Sequence, residues 1–339
     1  MIPNTIHFVF GLDENFGGKP FSFIHFLAVY CAWKVNRPDR ILFHYHHEPD
    51  TFWWREAKKY VQLHQVEIPR EVFGHPITHF AHKADVIRLQ QLRQHGGVYL
   101  DLDVICLNPF TPLLGHDMVM GSQAGTGLCN AVILAGAKAQ FLSAWFESYR
   151  TFDKDNWSHH SVLLPFQLAQ EHPDWIHVEE PYSFFYPLFN EPAGVRLWAQ
   201  PVRLKQGVGW IGRRLWDYAG RPKNFRTPLG YVGHTLRSVR WHEQTLSRSY
   251  CVHLWEQFWW EPYLKALTPA HLLRGESSFS RVLRNAVGKE DLAHMAAAGG
   301  WSSDDNKSGW SPHGRLHSRV QAGVGTDHLC RDPGAERRG

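Results

Sequence analysis

Cysteine is scarce in this chain. Of 339 residues only Cys31, Cys106, Cys129, Cys251 and Cys330 are cysteine, an odd number set far apart with no Cys-x-x-Cys pair. That pattern gives no support to a zinc or dithiol redox site and predicts reduced, mostly buried thiols. No apolar run is long enough to span a bilayer, and no charged-then-apolar leader opens the sequence. A soluble cytoplasmic protein is therefore expected. There is no long basic run, and 36 basic against 32 acidic residues leave a formal charge of +4, too balanced for a protein that tracks a nucleic-acid backbone. Nucleic acid is set aside as a partner. The mild basic excess fits phosphate-ester substrates or an anionic surface, so peripheral membrane contact stays open. No internal repeat is present, and nothing in the sequence specifies an oligomeric state.

What the chain does have is length for a large core, 43% hydrophobic residues and an aromatic share of 14% that includes 15 tryptophans. Flat rings suit both core packing and stacking on sugars or bases, and packing accounts for most of them. Residues 5–11 form a β-type run closed by Gly11. A helix entered at Pro20 follows, with Phe21, Ile24, Leu27, Ala28, Cys31, Ala32 and Val35 as one apolar stripe. A strand over 40–45, a helix over 52–61 and a short strand over 65–68 continue a β-α-β-α-β order. That order predicts an α/β fold, Rossmann-like, with a mostly parallel central sheet covered by helices on both faces and ligands beyond the C-terminal strand ends. Further on, strands are expected near 118–120 and 127–134, helices over 139–149 and 162–170, and strand or loop over 175–178 and 182–189. Residues 192–240 read as irregular, and 250–255 as the last core strand. From about residue 271 to 339 frequent glycines punctuate a polar segment, expected to be a disordered or loose tail, so residues 1–270 are taken as the catalytic domain.

The informative stretch is 84–105. It reads as a helix bearing Asp85 and Arg88 one turn apart, a Gly96-Gly97 stop, and a strand that ends in Asp101-Leu102-Asp103. Alternation along a strand puts both carboxylates on one side and Leu100, Leu102 and Val104 on the other. Two like charges this close call for a cation, and hard divalent ions take oxygen ligands. A divalent ion beside a diphosphate neutralises charge on the leaving group, and Asp85 and Arg88 are suited to sugar hydroxyls and phosphate. For a lone Asp-x-Asp, capping of a strand end and a helical ion pair would be the simpler account. The three features together in one compact unit point to a nucleotide-sugar site.

These residues resemble the Asp-x-Asp glycosyltransferases of the sugar-binding-region type, which include yeast α-1,6-mannosyltransferases, α-1,4-galactosyltransferases and, remotely, the clostridial glucosylating toxins. Ile2-Pro3-x-x-Ile6-His7 is similar to the family's opening strand, Ala84-Asp85-x-x-Arg88 through Asp103 to its central motif, Asn130-Ala131 to the next, and His253-x-Trp255 with Trp259 to its C-terminal motif. The resemblance spans about residues 1–262. It implies a GT-A fold and a manganese-dependent (or magnesium-dependent), retaining transfer from a nucleotide-diphosphate sugar, UDP-linked by preference and GDP-linked otherwise. The acceptor would be a hydroxyl of a glycan, lipid or protein. It further implies Asp103 as main metal ligand, Asp101 on metal, ribose or sugar, His253 as a further metal or phosphate contact, and Asp85, Arg88, Asn130 and Trp259 on the donor. Phe258 stands where the family usually has a small hydroxyl residue, which removes one expected diphosphate contact.

Read from the residues alone, a single histidine at a strand end is more often structural than a ligand, and Trp255, Trp259 and Trp260 read as packing. His44-x-His46-His47 lacks a third element at metal spacing and is expected in a solvated loop. Backbone groups of Phe8, Val9, Phe10 and Gly11, after the first strand, are expected to meet the nucleotide base. The metal and Arg88 would stabilise the departing diphosphate, and no protein nucleophile is evident. Three rival readings are an Asp-x-Asp phosphatase or phosphotransferase, whose site usually continues with Gly or Thr where Val104 and Ile105 stand here, a sugar nucleotidyltransferase, whose glycine-rich phosphate loop is basic where the loop after the first strand here has only Lys19, and a non-catalytic carbohydrate-binding protein.

Overall fold

The computed structural model describes residues 1–123, 126–188, 198 and 242–298. In chain order its main elements are β1 (Thr5–Phe10), α1 (Phe23–Asn36), β2 (Arg40–Tyr45), α2 (Phe52–Ala57), β3 (Gln62–Gln65), a small hairpin of β4 (Glu71–Val72) and β5 (His75–Pro76), α3 (Phe80–His95), β6 (Gly97–Leu100) and β7 (Val104–Cys106). Then come β8 (Met118–Gln123), β9 (Gly127–Ala135), α4 (Gln140–Ser148), α5 (Leu164–Glu171), β10 (His177–Glu179), α6 (Pro181–Phe184), β11 (Cys251–His253), α7 (Glu256–Trp259), α8 (Pro269–Arg274), α9 (Ser278–Val287) and α10 (Lys289–Ala298).

Seven strands make the central sheet in the order β10-β8-β9-β6-β1-β2-β3. β3, β2, β1 and β6 run parallel, β9 is antiparallel to both β6 and β8, and β10 is parallel to β8. The expected α/β fold, a mostly parallel sheet between helical layers, is what forms. Alternation along the strands divides the core. Val98 and Leu100 of β6, with Ile6 and Phe8 of β1, pack with α1, whereas Tyr99 of β6 and Ile133 of β9 pack with α3 and α4. Among the described residues no helix is long and apolar enough to cross a membrane. Cys31, Cys106, Cys129 and Cys251 are free and buried, as expected. Cys330 lies outside the described residues.

Several elements differ from the reading of the sequence. β3 occupies Gln62–Gln65 rather than 65–68, because its register on β2 (Leu42 on Gln62, Tyr45 on Gln65) decides its position, not its own weak pattern. The start of 182–189 is helical, with Pro181 at the first turn of α6, where a proline is pre-set for helix entry. β11 pairs antiparallel with β7, outside the central sheet. α1 is buried almost all round over its first ten residues rather than along one stripe.

The cause of that burial is a second correction. Residues 271–298 are not a loose tail: α8, α9 and α10 are helices whose Leu272, Phe279, Leu283, Val287 and Leu292 share the core of α1. Tyr30 donates to Asp291 Oδ2 at 2.8 Å, and Lys34 pairs with the same carboxylate. Gly275 and Gly288, which looked like breaks in a polar tail, are the residues that end α8 and α9. Residues 299–339 of the expected tail lie outside the described residues, as does 192–240 apart from Trp198.

A buried ladder of imidazoles crosses β1, β2 and β3. His7 Nε2 lies 2.8 Å from the Gly96 carbonyl, His7 Nδ1 3.0 Å from His44 Nε2, and His44 Nδ1 2.8 Å from His64 Nδ1. The carbonyl only accepts, so His7 donates to it from Nε2 and accepts at Nδ1 from His44 Nε2–H; His44 in turn accepts from His64 Nδ1–H. His44 is thus a fully buried strand residue rather than part of a solvated loop. Gly97 belongs to the same construction. Its φ is +122°, and a Cβ there would lie 2.3 Å from the Thr5 carbonyl oxygen and 2.8 Å from His7 Nε2.

Candidate active site

The helix α3 and the strand β6 bring the site together. α3 is capped at its start by the His79 side chain, which accepts from Ala81 N at 3.1 Å, and stops at Gly96 with φ +63°. Asp85 and Arg88 lie one turn apart on α3, both buried. Arg88 Nη2 is 3.4 Å from Asp85 Oδ1 and 3.3 Å from Asp101 Oδ1, while Nη1 donates to the Asn130 carbonyl at 2.7 Å. Asn130 Nδ2 donates to Asp85 Oδ1 at 2.7 Å. Four of the residues expected at the donor, Asp85, Arg88, Asp101 and Asn130, are therefore joined in one network from α3, the turn after β6, and β9. Burial alone would lower the Arg88 pKa, but Asp101, Tyr99 and Asp85 drive it above its ordinary value. The guanidinium stays charged.

The two carboxylates converge, though not by strand alternation. β6 ends at Leu100, and Asp101 to Asp103 form a turn closed by Val104 N donating to the Asp101 carbonyl at 3.0 Å. The turn forms because β7 leaves the central sheet to pair with β11, His253 standing opposite Val104. That pairing delivers His253 to the carboxylates. Ligand atoms of Asp101, Asp103 and His253 all lie within 4.8 Å of one another. His253 Nε2 is 3.2 Å from Asp103 Oδ2, which also accepts from Glu256 N at 2.8 Å. His253 Nδ1 is buried and has no hydrogen-bond partner among the described residues.

These contacts push the two acids apart electrically. Burial raises Asp101, opposed by Arg88 and reinforced by the charge of Asp103, and the net direction is up. Burial works the same way on Asp103, but His253 and the Glu256 N–H outweigh it and hold this carboxyl down at about 2. Burial would lower His253, and Asp103 overturns that and raises it. Two carboxylates and one imidazole, one acid fully ionised, make a donor set suited to a hard or borderline divalent ion. The residues present fit such an ion.

The other expected residues make separate contacts. The Phe8 side chain is in the core, Phe10 stacks on Phe16 with centroids 5.5 Å apart, and Val9 packs near Leu12, Val66 and Ile87. Gly11, at φ +69°, accepts at its carbonyl from His47 N at 2.9 Å. Trp259 is buried against Tyr263 and Trp198, with centroids 5.3 Å and 5.9 Å away, a packing position.

Several contributors were not singled out from the sequence. Tyr99 donates to Asp101 Oδ1 at 2.6 Å, and the Arg88 guanidinium lies 4.4 Å from its ring centroid. Tyr99 stands two residues before Asp101, so its closeness in sequence offered a signal for it. Glu256 offered none. Its carboxylate accepts from His25 Nε2 at 3.0 Å and pairs with Lys19 at 3.4 Å, clamping the segment whose N–H reaches Asp103.

Comparison with known proteins bears on the family of the chain. The profile described as "Glycosyltransferase sugar-binding region containing DXD motif" matches residues 26–120. The chain is 31% identical over 304 residues to Glucan organizing enzyme 1 of Cryptococcus neoformans var. grubii, covering 86% of this chain and 72% of that protein. Among solved structures, the glycosyltransferase GlyE of Streptococcus pneumoniae TIGR4 aligns at 12% identity and a TM-score of 0.42, covering 88% of this chain and 63% of GlyE. The galactosyltransferase LgtC aligns at 13% identity and a TM-score of 0.30, with 88% and 97% covered. The sequence matches select a glycosyltransferase over the nucleotidyltransferase and the non-catalytic binder. The chain belongs to the family of glycosyltransferases with a DXD-containing sugar-binding region.

Proposed function

We propose that the protein transfers a sugar from a nucleotide-diphosphate donor, a UDP-sugar by preference and a GDP-sugar otherwise, to a hydroxyl of an acceptor, with a divalent ion and with retention at the anomeric carbon. The observation that carries this reading is the convergence of Asp101, Asp103 and His253 within 4.8 Å, beside the Asp85–Arg88–Asn130 network. Those three residues would hold Mn²⁺ or Mg²⁺, which when bound supplies a Lewis acid toward the diphosphate. Arg88, fixed by Asp85, Asp101 and the Asn130 carbonyl, presents a cation that needs no reorganisation as negative charge grows on the leaving group. Asp85 takes Asn130 and Arg88 on Oδ1, which orients the carboxylate to accept from a donor hydroxyl on Oδ2. Retention by same-face attack, assisted by the leaving phosphate, uses no protein nucleophile. The name of the curated relative, Glucan organizing enzyme 1, supports polysaccharide synthesis as the setting.

The test is release of UDP or GDP from a panel of nucleotide sugars in Mn²⁺, in Mg²⁺ and in EDTA. Turnover should require the ion. In Asp103→Ala it should fall by about 100-fold or more, the scale of removing one transition-state electrostatic contact, with the thermal midpoint showing a folded chain. Undiminished turnover in Asp103→Ala or in EDTA would reject the metal assignment.

A further inference from the structure

We propose that the exposed aromatic patch of Trp157, Phe80 and His79 is the acceptor subsite, and that its ligand is a pyranose ring of a glycan laid flat on the Trp157 indole. The inference rests on the donor reading above and names the acceptor class that reading leaves open.

Trp157 and Phe80 are 51% and 42% exposed, two large rings kept in water side by side with imidazoles. His79 links them: its centroid is 4.4 Å from Phe80 and 4.7 Å from Trp157. His82 forms the floor. It is only 3% exposed, its ring lies 5.1 Å from Trp157 and 5.3 Å from Phe152, and its Nδ1 has no hydrogen-bond partner among the described residues. A platform of exposed rings with the exposed His79 imidazole at its edge suits a molecule that is apolar on one face and hydroxylated around its rim. A pyranose ring is such a molecule, with C–H bonds on its face and hydroxyls at its edge. A lipid tail would instead need a continuous apolar groove, and here rings alternate with imidazoles.

Position ties the patch to the reaction. Phe80 and His82 are in the first turn of α3, and Asp85 is one turn further on the His82 face, so Phe80 and Asp85 are separated by about 8 Å along the helix axis. The loop after β1 closes the other side, since a Cβ at Gly17 would sit 3.1 Å from the Phe80 ring. His82, whose ring lies 5.1 Å from Trp157, is one turn before Asp85 on the same face of α3, so a sugar on Trp157 would be set toward the network proposed to hold the donor sugar.

The experiment is calorimetric titration of the full chain, in Mn²⁺, with β-1,3-linked and α-1,4-linked glucose hexasaccharides and a mannose hexasaccharide, and separately with UDP and GDP. At least one hexasaccharide should bind the wild-type chain. Trp157→Ala should weaken that binding about tenfold, the scale of one lost aromatic contact, and Trp157→Phe, which keeps a flat ring, should fall between. Nucleotide affinity should be the same in all three proteins. Equal hexasaccharide binding by Trp157→Ala, or none by the wild type, overturns the subsite. Failure of both nucleotides to bind would count against the donor reading instead, and the hexasaccharide series would still decide the patch.

Discussion

Arg88 is the residue on which most of the site's contacts meet. Buried between Asp85, Asp101, the Asn130 carbonyl and the Tyr99 ring, it neutralises two acids that would otherwise repel. Removing one partner of a buried ion network leaves uncompensated charge and costs about 3–5 kcal/mol. Arg88→Ala should therefore lose about that much unfolding free energy in urea denaturation, as well as activity; an unchanged midpoint would show that the network is not holding the fold. At this scale the sequence was informative where spacing is local: Asp85, Arg88, Asp101 and Asp103 fall within one compact stretch. It was silent on Glu256, whose backbone N–H reaches Asp103 through a clasp with His25, 231 residues away.

Among the elements, the Gly96-Gly97 stop does more than end α3. At Gly97 a side chain would meet the Thr5 carbonyl and His7 together, at a φ of +122°. Gly97→Ala should destabilise by about 3 kcal/mol or more or abolish soluble expression, read again by denaturation. A stability near wild type would contradict the close approach. The same corner holds the imidazole ladder, where burial pushes His7 down to about 4 and His44 down to about 2 from an ordinary 6.5. Unfolded imidazoles bind protons below about pH 6.5 that these two do not, so stability is full above that pH and is lost as pH falls toward 4. For two protons the slope approaches about 2.7 kcal/mol per pH unit. Urea denaturation at pH 7, 6 and 5 should show the decline, shallower by about one proton in His44→Gln; a flat wild-type profile would contradict neutral buried rings. Position 7 was readable as strand, and 44 fell within the strand read over 40–45 although its histidine cluster was assigned to a loop; that the two meet was not legible. Pairing of β1 with β2 sets Val9 opposite His44, so the contact with His7 is diagonal and depends on the side chains' own reach.

Across the whole molecule, the alternation of strands and helices announced the α/β architecture. The assembly of the site did not follow from alternation. Asp101 and Asp103 converge because a turn releases β7 to pair with β11, and His253 arrives by that pairing from the far end of the described chain. Helices α8 to α10 were missed because each is short and set off by Gly275 and Gly288, although Phe279, Val282, Leu283 and Val287 of α9 fall at helical spacing; their apolar faces are buried against α1, which they cover. The account as a whole depends on a divalent ion that joins these distant segments to a diphosphate. Calorimetric titration of UDP and GDP into the full chain, with Mn²⁺ or with EDTA, and repeated on Asp103→Asn, addresses that claim most directly. Binding of at least one nucleotide in Mn²⁺, lost in EDTA and in the variant, is the result predicted; equal affinity with and without the ion would contradict it.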